Sequence, residues 1–303
     1  MKKLTKKELL EKQLSSITAK QTKKLKPVEP NKQAGIAYNS ELQRIVSSVK
    51  KDIDRLLVPQ IKLLQPDYTA DSIRTNDGWF DLISATIAAI RKKYSGDKFN
   101  TFANGIANSF VKAADLNNAK KSANNYEGFG VDILNNKSVT EYIKASSGDN
   151  ARLITSIPEQ YLSQIESLVT ANMRAGNRAS SITDLIHDKY GVTKARAKMI
   201  ARDQTSKLNS QLSEKRMRSA GVKLFQWIDS KDSKVRTKHL KISDKVTKFG
   251  KGVYSWDDLP LSDKGEPISP GFDYLCRCIA RPVLQSEVDR NIKAGLTNPK
   301  VSR

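Results

Sequence analysis

Two stretches decide how this chain is read: Trp227–Leu240, WIDSKDSKVRTKHL, and Pro270–Val283, PGFDYLCRCIARPV. Between them they hold both cysteines and one of the two histidines of the 303-residue chain. Just before and into the first stretch, Val222, Leu224, Gln226 and Ile228 alternate with Lys223, Phe225, Trp227 and Asp229. Period two with aromatic and β-branched residues predicts a strand. Asp232 is placed to cap a short helix running through His239, and on that helix Asp232, Arg236 and His239 stand at i, i+4 and i+7, on one face. The run CRCIARPV predicts a second strand, with Cys276 and Cys278 pointing to one side and Arg277 to the other.

An acid, an imidazole and two thiols can therefore converge. Asp232, His239, Cys276 and Cys278 make a candidate four-ligand metal site, and a structural zinc is the cofactor such a set would take. The alternative is a cluster without metal: Asp232 paired with Arg236, His239 bonded to a backbone carbonyl, and the cysteines buried as small hydrophobes. Cys-x-Cys is tighter than the spacing of standard zinc ligand pairs. A disulfide across so short a loop is strained, so the cysteines are read as thiols or ligands.

Upstream, apolar spacing predicts helices. Ile45, Val46, Val49, Ile53, Leu56, Leu57 and Ile61 form one stripe, which Pro59 should bend and Pro66 stop. Phe80, Ile83, Ile87 and Ile90 form a second after Gly78, and Phe102, Ile106, Phe110 and Val111 a third. Asn117–Gly130 reads as a loop. Ile157-Pro158 opens a helix with Pro158 near its first position, and Gly176 ends it. Ser181 caps the next, Gly191 stops it, and His187 lies beside its apolar face. A long helix from Lys194 to Ala220, closed by Gly221, carries Arg196, Lys198, Arg202, Lys207, Lys215, Arg216 and Arg218. That basic face is either solvated or a contact for DNA phosphates or an acidic partner. Asp203 and Gln204 in its middle are placed to dock the following domain. The fold class is mainly α, with helical N-terminal and central regions followed by a small α+β C-terminal domain. The expected divisions are a basic arm over 1–30, a helical region over 31–145, a second over 146–221, the α+β domain over 222–285 and a tail over 286–303.

The net charge is +21, from 53 basic and 32 acidic residues. Such a surface attracts polyanions, nucleic acid first and an acidic protein second. Residues 1–26 alone carry nine lysines against two glutamates, as a solvated tail or as an arm that meets DNA or a neighbouring subunit. The longest apolar run, Leu82–Ile90, is far short of the roughly 20 residues of a membrane span; no membrane partner is expected, and synthesis in the cytoplasm is. The HExxH, GxxxxGK[ST] and GxSxG patterns are absent, so the chain is read as a binding protein and not an enzyme. The rival is a metal-dependent nuclease or toxin-like enzyme with Asp232 and His239 as ligands.

Taken in order, Trp227, Asp232, Val235, Arg236, His239, Cys276, Arg277 and Cys278 resemble the phage Mu F-like head morphogenesis, or minor head protein, family. Its pattern is Trp, an Asp-x-x-Val-Arg-x-x-His block, a variable Gly- and Pro-rich region, and a closing Cys-Arg-Cys. ARDQTSKLN at Ala201–Asn209 and LITSIPEQYL at Leu153–Leu162 are similar to stretches of the same family. The chain departs from it after the histidine, where Ser243 and Asp244 stand in place of Asp-Gly. The resemblance covers about residues 145–285 and implies a minor capsid protein of a tailed double-stranded DNA phage. Its implied partners are the portal protein, capsid or scaffold proteins, and double-stranded DNA bound without sequence readout; its implied place is the virion head near the portal vertex.

Overall fold

The computed structural model describes residues 24–64, 78–126 and 137–303. It is mainly helical with a small C-terminal sheet. The helices are α1 (Lys32–Asp52), α2 (Val58–Leu63), α3 (Gly78–Lys93), α4 (Asp97–Asn125), α5 (Lys137–Arg174) and α6 (Ala179–Ser219). Then come β1 (Leu224–Ile228), α7 (Thr237–Asp244), β2 (Val246–Thr247), β3 (Gly250–Lys251), β4 (Val253–Ser255), β5 (Ile279–Val283) and α8 (Gln285–Lys293). Two compact units result, and neither is a continuous piece of chain. One comprises Gly35–Phe110 and Ser147–Arg202; the other takes in Val111–Ser146 and Asp203–Arg303, with the stretch before Gly35. Residues 1–23 of the expected basic arm lie outside the described residues.

The first unit is a helical core. Ile45, Val46, Val49, Ile53, Leu57 and Ile61 of the first stripe are all buried. Ile83, Ile87 and Ile90 of α3 and Ile154, Ile157, Leu162 and Ile165 of α5 are equally buried, and Arg91 of α3 pairs with Glu166 of α5 at 2.8 Å. A π-helical turn at Ile53–Leu57 sits directly ahead of Pro59, where the sequence predicts a bend. Its extra residue turns Leu56 outward, to 40% exposure. Phe80 and Phe102, expected on buried stripes, are also exposed. The buried residues of these stripes serve as core.

Three boundaries differ from expectation. Pro158 lies inside α5, not at a helix start. The backbone bond it forfeits to Ile154 is a cost of about 3 kcal/mol, outweighed by the burial of Ile154, Ile157, Tyr161 and Leu162 around it. Gly191 does not stop a helix: α6 runs through it from Ala179 to Ser219, because Ile186, Thr193 and Ala197 on either side are all buried and a mid-helix glycine costs only about 1 kcal/mol. Asn117–Asn125 is helix and not loop. Asn118 is fully buried, donating to Asn209 Oδ1 at 3.0 Å and Ser213 Oγ at 2.8 Å while accepting from Arg216 at 2.8 Å.

The second unit is built on an antiparallel sheet in the order β4-β1-β5, pairing Phe225 with Tyr254 and Pro282, and Trp227 with Ala280. Pro282 is tolerated because β5 is an edge. One sheet face buries Phe225, Trp227, Tyr254 and Ala280 against Met217, Ala220 and Ile242; the other packs Leu224, Val253 and Val283 on Val288 of α8. Residues 24–30 run along this unit, with Leu25 in its core and the carbonyls of Lys26 and Val28 accepting from Asn125 and Asn209. Residues beyond 285 are likewise tied in. Glu287 of α8 takes both guanidinium nitrogens of Arg281, at 2.7 and 2.9 Å, and Lys248 N–H donates to the Val301 carbonyl.

Two stability outcomes follow. Arg216, 1% exposed, pairs with Asp115 at 2.5 Å; Arg216→Ala leaves that carboxylate without its cation and takes one donor from Asn118 Oδ1, and urea unfolding should show a loss of about 3 kcal/mol. In the helical unit, burial would raise the Asp52 carboxyl, but hydrogen bonds from Lys93 and Tyr94 outweigh it and hold the group below the usual carboxylate range. A depressed folded value stabilises fully above the unfolded pKa of about 4 and is lost as pH falls through the folded one. Asp52→Asn should therefore destabilise the chain at neutral pH and shrink its loss of stability on acidification.

Candidate functional site

The site begins on α6. Asp203, buried within the helix, points its carboxylate at the Gly- and Pro-flanked loop ahead of β5. Oδ1 accepts the Leu275 N–H at 2.7 Å, and Oδ2 is held by Lys207 at 2.9 Å. Leu275 has φ +56, a left-handed backbone that costs a non-glycine residue roughly 1 kcal/mol or more. The next residue, Gln204, donates to Asp203, and two turns further along α6 Ser210 Oγ donates to the Pro270 carbonyl. Gly271 passes so close that a Cβ there would stand 3.0 Å from Ser210 Cβ and 3.1 Å from the Cys278 carbonyl, at φ +80. Only glycine fits. The expectation that Asp203 and Gln204 dock the following segment thus has a geometric basis: the helix clamps residues 270–278 at both ends.

The clamped loop is tied in turn to residues 229–239. Arg277 grips Asp232 through both terminal nitrogens, NH2 at 2.6 Å, and that hydrogen bonding lowers the Asp232 pKa. Arg236 donates to the Tyr274 carbonyl at 2.7 Å. His239 Nε2 lies 3.0 Å from Asp273 Oδ2, and its Nδ1 faces Cys276 Sγ at 3.5 Å and Cys278 Sγ at 3.7 Å. The Trp227 ring stands edge-on to the imidazole, 5.3 Å between centroids. His239, Cys276 and Cys278 are 3%, 4% and 3% exposed. Both thiols are free of disulfide.

This differs from the expected convergence in three ways. Asp232 does not join His239 and the cysteines; it stands at the surface on Arg277. It caps no helix either: its Oδ1 accepts the Lys234 N–H in a tight turn, and α7 starts only at Thr237 behind an extended Arg236. The cysteines precede β5 and do not lie on it, yet both sulfurs still reach the same side. The residue the spacing did not single out is Asp273. It sits inside the quoted PGFDYLCRC, but no periodicity links it to a histidine 34 positions earlier.

The electrostatics are those of a shared-proton cluster. The hydrogen bond from Cys278, ahead of that from His239, draws the Cys276 thiol down to about 4 against the effect of burial, and Cys278 is pushed up by the Cys276 sulfur and by burial. Of the pair, one sulfur gives up its proton readily and the other keeps it. The Cys276 sulfur, and then Asp273, raise His239, with burial opposing.

The basic residues of α6 are placed unequally. Lys198, Arg202 and Arg218 are exposed. Lys207 is engaged by Asp203, Arg196 by Ser156 Oγ, and Arg218 by Glu214 and Asp257. Lys215 Nζ stacks 5.2 Å over the Tyr142 ring. Arg216 is withdrawn from any phosphate contact, because its charge is consumed in the interior by Asp115. His187 is half-exposed, 3.4 Å from Asp54.

Residues 163–281 match the family model described as Phage Mu protein F like protein. The chain is also 31% identical over 288 residues to an uncharacterized protein of Haemophilus influenzae. That similarity takes in 93% of this chain, which spans 59% of the relative's length. No solved structure matches. The matched span starts in α5 and ends in β5, so it holds both the clamp and everything it holds.

If the Asp203 clamp sets the loop, Asp203→Ala should destabilise the chain by about 1–3 kcal/mol in equilibrium unfolding. Gly271→Ala should be at least as damaging. Wild-type stability in either variant would contradict the clamp.

Proposed function

We propose, from the match of residues 163–281 to the family model described as Phage Mu protein F like protein, that this chain is a minor head protein of a tailed double-stranded DNA phage, acting in head morphogenesis at the portal vertex. The observation that carries the reading is that match, together with what the motif residues do. Asp232, Arg236, His239, Arg277 and both cysteines are engaged with one another across two segments, which is the work of a scaffold. The imidazole and sulfurs are at most 4% exposed, so a substrate would have no approach to them; this argues for assembly over the nuclease alternative. Among the described residues no helix is long and apolar enough to cross a membrane.

Two surfaces suit the partners of such a protein. The loop that α6 clamps presents Phe272 and Tyr274, 53% and 56% exposed. Aromatic rings on a rigid loop make strong anchors for a protein partner, here the portal or shell. Lys194, Lys198 and Arg202, one turn apart and exposed on α6, suit DNA phosphates without base readout.

The test is recovery of the chain from purified particles. Wild type should co-purify with heads and with portal protein, and the Phe272→Asp, Tyr274→Asp double variant should fold yet be depleted from them. Absence of the wild-type chain from particles would overturn the assignment. Duplex binding by the purified chain should weaken steeply with salt and more gently after Lys198→Glu with Arg202→Glu. A flat salt response would remove DNA from the proposed partners.

A further inference from the structure

Asp273, His239, Cys276 and Cys278 form a line of donors that is under-used as a set of hydrogen bonds. The carboxylate of Asp273 faces Nε2 of His239 at 3.0 Å, which leaves Nδ1 as the only ring nitrogen for the two sulfurs that converge on it. One ring nitrogen makes a single hydrogen bond, so it cannot fully engage both sulfurs. The Trp227 indole N–H is buried and is directed at the Cys278 sulfur, whose ionised form it favours.

We propose that Cys276 Sγ, Cys278 Sγ and His239 Nδ1 are the protein ligands of a structural site for a thiophilic divalent cation, zinc first, with Asp273 orienting the imidazole from its far nitrogen. The proposal is independent of the phage assignment. The three donor atoms all lie within 4.8 Å of one another. Tetrahedral zinc with Zn–N near 2.0 Å and Zn–S near 2.3 Å needs an N···S edge of about 3.5 Å. The two observed edges are 3.5 and 3.7 Å, so a cation fits between the donors with little side-chain movement. Two thiolates and an imidazole are a soft set that selects zinc over magnesium or calcium. A carboxylate on the outer histidine nitrogen is the usual support for such a ligand. A bound Cys278 thiolate would be a better acceptor for the Trp227 N–H than the thiol is. Asp232 has no part in the site, since Arg277 holds both its oxygens. Binding releases the thiol protons to solvent, with no change of oxidation state.

The experiment uses the full chain, expressed with zinc in the medium, exhaustively dialysed, and analysed for metal by mass spectrometry. Wild type should retain stoichiometric zinc. Exchange for cobalt(II) should produce a thiolate-to-cobalt charge-transfer band and tetrahedral visible bands, both lost in Cys276→Ser and Cys278→Ser. Asp273→Asn keeps all three ligands and should show the cobalt spectrum with affinity about 10–100-fold weaker in chelator competition. Should the serine variants fail to fold, a thiol-specific mercurial added to wild type must release zinc to an indicator dye. Wild type that carries no zinc and gives no thiolate–cobalt band on titration with cobalt overturns the proposal, and so does zinc that the mercurial does not release. Either failure leaves the head-protein reading intact.

Discussion

The hydrogen bond from Leu275 N–H to Asp203 is the contact on which the rest of the C-terminal unit depends. A carboxylate buried in the middle of a helix is expensive unless it is paired. Here it is held by Lys207 and Gln204 from its own helix and by a backbone amide from a loop 72 positions away. That amide belongs to a residue in a left-handed conformation, which the chain would not adopt unaided. The next residue is Cys276. The helix therefore does more than pack: it dictates where the loop turns, and so where Asp273, Cys276, Arg277 and Cys278 are presented. Gly271 and Ser210 close the other end of the same clamp.

From that constraint the motif can be understood as ties between two segments that local structure alone would not bring together. Arg277 holds Asp232, Arg236 holds the Tyr274 carbonyl, and His239 holds Asp273 while facing two sulfurs. Behind them the sheet supplies Trp227, whose ring braces the imidazole, and Tyr254, whose hydroxyl donates to the Ile242 carbonyl of α7 at 2.8 Å. Gly252 lets the β3–β4 turn approach α7 so closely that a Cβ would lie 2.6 Å from the Ser243 carbonyl oxygen. The polar cluster is thus enclosed by aromatic packing on one side and by the clamped loop on the other. Such an arrangement holds the cluster in one shape.

Much of this was legible in the sequence, and the exceptions have physical reasons. Three-four spacing located the helices, and Gly176 and Gly221 do stop theirs, both at positive φ. Boundaries failed where burial supplied by distant residues overrode local preference: at Pro158, at Gly191, and at Asn118, whose polarity looked like a loop and is in fact spent on Arg216, Asn209 and Ser213. The residues of the motif are legible as a group, and the structure places donor atoms of His239, Cys276 and Cys278 within 4.8 Å of one another. Asp232 was given the wrong partner because helical spacing was extended back over a segment that is a turn. Asp273 could be found only once the loop had been placed, since its relation to His239 is tertiary. The basic face of α6 shows the same limit, because charge pattern alone does not reveal that Arg216 points inward at Asp115.

The most direct measurement of the central claim is native-state hydrogen exchange on the full chain, resolved to the amides of residues 271–278. If α6 holds this loop as described, Leu275 and Cys276 should exchange as slowly as Phe225 and Trp227 in β1, opening only with the unit as a whole. Exchange of Leu275 at the rate of a surface loop, while β1 stays protected, would contradict it.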